Sequence, residues 1–211
     1  ICPKSEMQIF KKKLGFKEFT FVSEEKILTY KKFCLIFNKL SRNIKYKKKF
    51  SNRLGWYYQQ ILKISFILNF IEKNKKNMVI WDADTIILKK IDFFKNDYSI
   101  KYATLFESHK PYFLTNKYII GKLPSYFISS LTQFTSLTVM ECKFLIKLLR
   151  KKNIKNKILS EWITTLIFKA IFKQHKLYNG SLFSEYELLG ISNYLCDKTK
   201  QKAIFTLRIG S

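Results

Sequence analysis

The sequence predicts an α/β domain built on a mostly parallel sheet flanked by helices. Three observations predict it. Stretches of strand character alternate with stretches of helical periodicity, the pattern of such sheets. Met78, Val79, Ile80 and Trp81 form a short continuous apolar run that reads as a buried strand. That run leads into Asp82-Ala83-Asp84, and ligand sites in open α/β sheets lie just beyond the carboxyl ends of their strands. With 211 residues, 47% of them hydrophobic, the chain has the material for one domain with a real core, and no repeat or low-complexity linker divides it.

The elements follow in order. Ser5 is placed to cap a short helix over residues 6–14, ended by Gly15, and residues 19–22 read as a strand. Ser23-Glu24-Glu25 opens a partly helical segment reaching residue 40, and the lysine-rich run at 45–49 reads as a solvated loop. Residues 52–69 have helical periodicity, with Trp56, Ile61, Leu62, Ser65, Phe66 and Leu68 on an apolar face. Gln59 and Lys63 share another side of that helix. A polar break at 73–77 precedes the central strand. Residues 86–88 are a second apolar run, 89–97 a turn region, and 99–105 a strand leading to Glu107 and His109. Pro111 starts a helix closed by Gly121. Residues 125–130 are β-prone. Residues 137–151 form an amphipathic helix with Val139, Met140, Phe144, Leu145 and Leu148 inward. Ser160 is placed to cap a helix over 161–173, Ser184 a helix over 185–195, and residues 203–207 close the chain as a strand.

The formal net charge is +25, and only four of the 40 basic residues are arginines. Lys, Ile, Asn, Phe and Tyr are abundant together, the bias that AT-rich coding DNA imposes. The field still favours anionic partners, whether a nucleotide diphosphate or an anionic membrane surface. Scarce arginine argues against base-specific nucleic-acid readout, where Arg forks dominate. The four cysteines are far apart with no CxxC pair, which argues against a zinc cluster and fits buried thiols in a reducing cytoplasm. The longest apolar stretch, residues 61–71, is interrupted by Lys63 and is too short to span a bilayer. Peripheral contact with the inner membrane face is compatible with this.

Two carboxylates separated by one small residue repel unless a cation lies beside them. Mg²⁺ takes one or two protein carboxylates plus substrate phosphates. Asp82 and Asp84 therefore form a candidate handle for a metal–diphosphate complex, with Mn²⁺ or Mg²⁺ as the ion. Against this stands a plain turn in which Asp caps local amides. Glu107 and His109, two apart at a strand end, point to one side. His175 sits in a lysine-rich stretch and reads as a surface residue. Ser184 and Glu187 have capping-box spacing, which leaves Glu185 less explained by the cap.

Four blocks carry a resemblance. Arg53-Leu-Gly-Trp-Tyr-Tyr-Gln-Gln-Ile-Leu-Lys63, Trp81-Asp-Ala-Asp-Thr85, Glu107-Ser-His-Lys-Pro-Tyr112 and Ser184-Glu-Tyr-Glu-Leu-Leu-Gly190 occur in this order. The series resembles a family of bacterial DxD glycosyltransferases of the GT-A (Rossmann-like) fold, associated with surface polysaccharide synthesis, and covers the chain from about Arg53 to Tyr194. The resemblance implies a single glycosyltransferase domain over 1–211, lacking its first β-α segment, since an N-terminal strand and loop would help hold the nucleotide base. It implies transfer of a sugar from a nucleoside-diphosphate sugar to a glycan or lipid-linked glycan hydroxyl, for capsule or lipopolysaccharide. Asp84 would bind the metal directly, and Asp82 would contact ribose or the metal. Arg53, Gln59 and Lys63 would contact the donor, and His109 and Tyr112 the acceptor. A carboxylate would deprotonate the acceptor, with Glu185 the first choice and Glu107 the second. A late histidine such as His175 is a further metal candidate on this resemblance. The competing expectation is a metal-dependent nuclease or phosphoryl-transfer enzyme, disfavoured because two-metal sites need more clustered carboxylates than the 15 acidic residues here suggest.

Overall fold

The computed structural model describes residues 1–14, 20–44, 47–83, 85–86, 88, 90–96, 98–104, 108–123, 129–130, 134–150, 158–174, 180–196 and 203–206. Among these, helices dominate: α1 (Met7–Leu14), α2 (Tyr30–Leu40), α3 (Lys47–Ser51), α4 (Leu54–Asn74), α5 (Lys110–Ile120), α6 (Val139–Arg150), α7 (Leu159–Gln174) and α8 (Glu185–Cys196). The strands are short: β1 (Met78–Trp81), β2 (Phe94–Lys95), β3 (Tyr98–Ser99), β4 (Lys101–Thr104), β5 (Phe134–Leu137) and β6 (Ala203–Thr206).

The expected mostly parallel, GT-A-like sheet is not what the chain forms. The described strands make three separate pairs. β1 pairs with β5, antiparallel, with Met78 opposite Leu137 and Trp81 opposite Phe134. β2 and β3 form a small antiparallel hairpin, and only β4 with β6 is parallel. The physical reason lies in what fills the core. Its largest fully buried side chains, Tyr57, Phe33, Phe37, Phe113, Phe168 and Phe183, sit on helices or just before one. Phe33 and Phe37 of α2 pack on Phe168 of α7 with ring centroids 5.4 and 5.2 Å apart, and Phe168 stacks on Phe172. The core is thus helix against helix, and β1 adds to it chiefly through Ile80. Alternation of strand and helix along a sequence does not by itself fix strand direction.

Several elements differ from expectation for local reasons. Ser5 lies inside a 3₁₀ turn, Lys4–Glu6, whose N-cap is Pro3. Residues 20–22 form no strand, although Cys2 donates to the Val22 carbonyl and bridges Ser23; Gly15 and Phe19 lie outside the described residues. Thr29 caps α2 by accepting the Lys32 N–H at 3.2 Å. Lys47 to Lys49 belong to α3 rather than a loop. The strand β5 is absent from the sequence reading, and α6 begins after it. At the start of α6, Thr138 and Glu141 exchange backbone-to-side-chain bonds of 3.2 and 2.7 Å, a complete capping box. Met140 is 48% exposed rather than inward. Ser160 lies in the first turn of α7 instead of capping it. The helix from Pro111 to Gly121 forms as expected, with Gly121 taking up φ +92. None of the four cysteines is in a disulfide. Among the described residues no helix is long and apolar enough to cross a membrane.

Candidate functional site

β1 delivers Asp82 to the wall of a cleft of about 910 Å³ lined on one side by α4 and on another by the start of α8. Cross-strand stacking of Trp81 on Phe134, 5.2 Å between centroids, holds the end of the strand. The chain then turns. The Asp82 carbonyl accepts the Thr85 N–H at 3.1 Å, and Trp81 Nε1 donates to the Thr85 carbonyl at 2.9 Å. A backbone bond and the Trp81 indole thus close this turn, and Asp82 lines the cleft. Asp84 lies outside the described residues.

Lys63 of α4 meets that carboxylate. Its Nζ donates to Asp82 Oδ1 and, at 2.8 Å, to Glu185 Oε1. The ammonium also lies 5.0 Å from the centre of the Tyr186 ring. Three segments remote in sequence are joined here, residues 63, 82 and 185. Glu185 is 3% exposed, against about a quarter for the Lys63 and Asp82 side chains. Its backbone N–H, an otherwise unpaired donor of the first turn of α8, donates to Gln60 Oε1 at 3.1 Å. Gln60 is itself buried and sits one position from Gln59, which the sequence reading preferred. The missed signal is a stripe: Trp56, Gln60, Lys63 and Ile67 recur at i, i+4, i+7 and i+11, and all line the cleft.

Burial pushes the Glu185 carboxyl upward, and the Lys63 charge and hydrogen bond oppose that rise without cancelling it. Burial pulls Lys63 down, but Glu185 and Asp82 outweigh it, so the ammonium is held above its ordinary value. The two directions pull against each other within one ion pair. Lys63 stays protonated because two acids share it. One ammonium faces two carboxyl groups in a protein whose total charge is +25. Glu187 serves neither the cleft nor a reciprocal cap. Its N–H comes within 3.5 Å of Ser184 Oγ, but its side chain turns to the Ser129 hydroxyl and the Ser130 N–H. Burial raises its pKa to about 7, against the hydrogen bonds from Ser129 and Ser130.

The other expected site residues separate. Gln59 and Tyr112 line the cleft. Arg53 is exposed at the start of α4, outside the cleft lining, and its charge is felt by the Tyr57 and Tyr112 hydroxyls. His109 stands at the start of α5, where Nε2 bonds the Ser181 carbonyl at 2.8 Å and its ring meets Tyr112 edge-on. That bond makes Nε2 the donor and ties α5 to the segment leading into α8. Trp56 lines the cleft, whereas Tyr57 and Tyr58 are buried. Glu107 and His175 lie outside the described residues.

Asp82 offers the hard oxygen chemistry that Mg²⁺ and Mn²⁺ prefer, with Oδ1 already taken by the Lys63 ammonium. Among the described residues no group of three His, Cys, Asp or Glu side chains is gathered as a metal cage. Comparison with protein-family models, curated proteins and solved structures returned no match.

Proposed function

We propose that the cleft is the donor site of a metal-dependent glycosyltransferase that moves a sugar from a nucleoside-diphosphate sugar to a hydroxyl acceptor, in surface glycan synthesis. The observation that carries this reading is the meeting of Lys63, Asp82 and Glu185 in one cleft. Asp82, with Asp84, would hold Mn²⁺ or Mg²⁺, which when bound neutralises the diphosphate leaving group. Lys63 bridges the two acids and provides a cation at the same place, within the cleft where phosphate oxygens would lie. Trp56 offers flat apolar surface for a sugar ring or base.

Glu185 takes the acceptor proton on this reading. A general base works best with a pKa near the working pH, and burial moves Glu185 in that direction. Gln60 fixes the backbone from which Glu185 projects. The helical architecture leaves this chemistry possible, because function resides in the site rather than in the fold. The reading is tested by incubating the protein with a panel of nucleotide sugars and Mn²⁺ and measuring released nucleoside diphosphate. Release that is abolished by Asp82→Asn supports it; release from no donor, or release indifferent to Asp82→Asn, counts against it.

A further inference from the structure

The helix α1 leaves part of its apolar surface in water. None of its eight residues is buried; Phe10 is 37% and Leu14 43% exposed. Met7, Phe10 and Leu14 recur at i, i+3 and i+7, so they form one stripe. At 3.6 residues per turn, Lys11 and Lys13 fall on either side of that stripe, roughly a quarter-turn away. Lys12 lies opposite it, and Ile9, 53% exposed, falls on that far side too. A helix this short is marginal by itself, and its order depends on what its apolar face meets.

The charge pattern selects the partner. A second copy of the chain would bring another net +25 against the first. A nucleic acid would pair with the lysines and leave the stripe wet. An anionic bilayer serves both, with headgroups for the flanking lysines and the acyl boundary for Met7, Phe10 and Leu14. We infer that α1 is a membrane-surface anchor that lies in the interface of an anionic lipid leaflet. Ile1 and Glu24 line the cleft, and Glu24 N–H bonds the Cys2 carbonyl. Met7 is six residues from Ile1, a reach of at most about 20 Å, so the docked helix brings that edge of the cleft near the headgroups. The docking does not rest on the transferase reading.

The test is co-sedimentation of the full chain with phosphatidylcholine vesicles, with and without roughly a third phosphatidylglycerol, at physiological salt. The wild-type chain sediments with the anionic vesicles only. Phe10→Ser with Leu14→Ser, and separately Lys11→Ala with Lys13→Ala, each lower the partition coefficient about tenfold or more. No residue of α1 belongs to the buried core, so both variants keep a cooperative thermal melt. Phe10→Trp adds fluorescence that brominated lipid quenches beyond the quenching of the wild-type chain. Wild-type binding by both double variants, or sedimentation without quenching at position 10, would assign the contact to lysines elsewhere and overturn the anchor. So would failure of the wild-type chain to bind the anionic vesicles.

Discussion

Lys63 Nζ and Glu185 Oε1 lie 2.8 Å apart, although 122 positions separate the two residues in the chain. The same ammonium reaches Asp82, so one lysine ties α4 to the end of β1 and to the first turn of α8. Removing one partner of such a pair leaves a buried carboxyl group uncompensated.

Lys63→Met is therefore expected to cost about 2–3 kcal/mol in urea unfolding, below the range for fully enclosed pairs because Lys63 and Asp82 are about a quarter exposed. Adding Glu185→Gln to Lys63→Met removes the orphaned charge and recovers part of the loss. The penalty of the single variant shrinks at low pH, where Glu185 takes up a proton. A Lys63→Met chain as stable as wild type at every pH would show that the ion pair contributes nothing to folding.

Glu187 gives a pH dependence of known sign. Its folded pKa, about 7, stands above the ordinary 4.5, so the folded state holds the proton more tightly than the unfolded chain. Its contribution is fully present below about pH 4.5 and is lost as pH rises through 7. At about 1.4 kcal/mol per pKa unit the whole effect is about 3 kcal/mol. Glu187→Gln keeps an oxygen for Ser129 and Ser130 and cannot ionise. The difference in stability between variant and wild type should move in favour of the variant from pH 5 to pH 8, read from melts across that range. A difference that does not change with pH would place the Glu187 pKa back near its ordinary value.

Gly190 of α8 faces Ser130 at close range. A Cβ built there would lie 2.0 Å from Ser130 Oγ and 2.4 Å from Ser130 Cβ. Gly to Ala inside a helix ordinarily stabilises by up to about 1 kcal/mol. Here overpacking reverses the sign, and Gly190→Ala is expected to destabilise by about 1–3 kcal/mol. Ser130→Gly in the same chain removes both contacts, keeps the N–H that Glu187 accepts, and restores stability. A stabilising Gly190→Ala would mean that the two segments stand further apart.

The local elements with strong chemical punctuation were legible. Pro111 and Gly121 bound α5, Ser184 precedes α8, and the apolar run of β1 ends at Asp82. The partner of β1 was not legible. β5 carries Thr135 and Ser136 between Phe134 and Leu137, so it has neither a long apolar run nor an alternation to mark it. Its antiparallel direction follows from long-range packing, which local periodicity does not encode. Lys63 entered the reading through the resemblance, as a donor contact, and the fold brings it to Asp82 and Glu185. Gln60 was not, since its role is to accept a backbone N–H from a residue 125 positions away. Glu187 had the spacing of a reciprocal cap, yet its carboxylate goes to Ser129 and Ser130, a contact made only once α8 packs on that segment.

The most direct test of the donor-site account is a thermal-shift titration of the chain with nucleoside diphosphates, with and without Mn²⁺ or Mg²⁺, beside Asp82→Asn and Asp84→Ala. A ligand that binds only the folded state raises the melting temperature, by an amount equivalent to about 2.7 kcal/mol at a hundredfold excess over Kd. The account predicts a shift for at least one diphosphate that needs the metal and vanishes in both variants. A shift that persists without metal and in both aspartate variants would contradict it, as would no shift with any nucleotide.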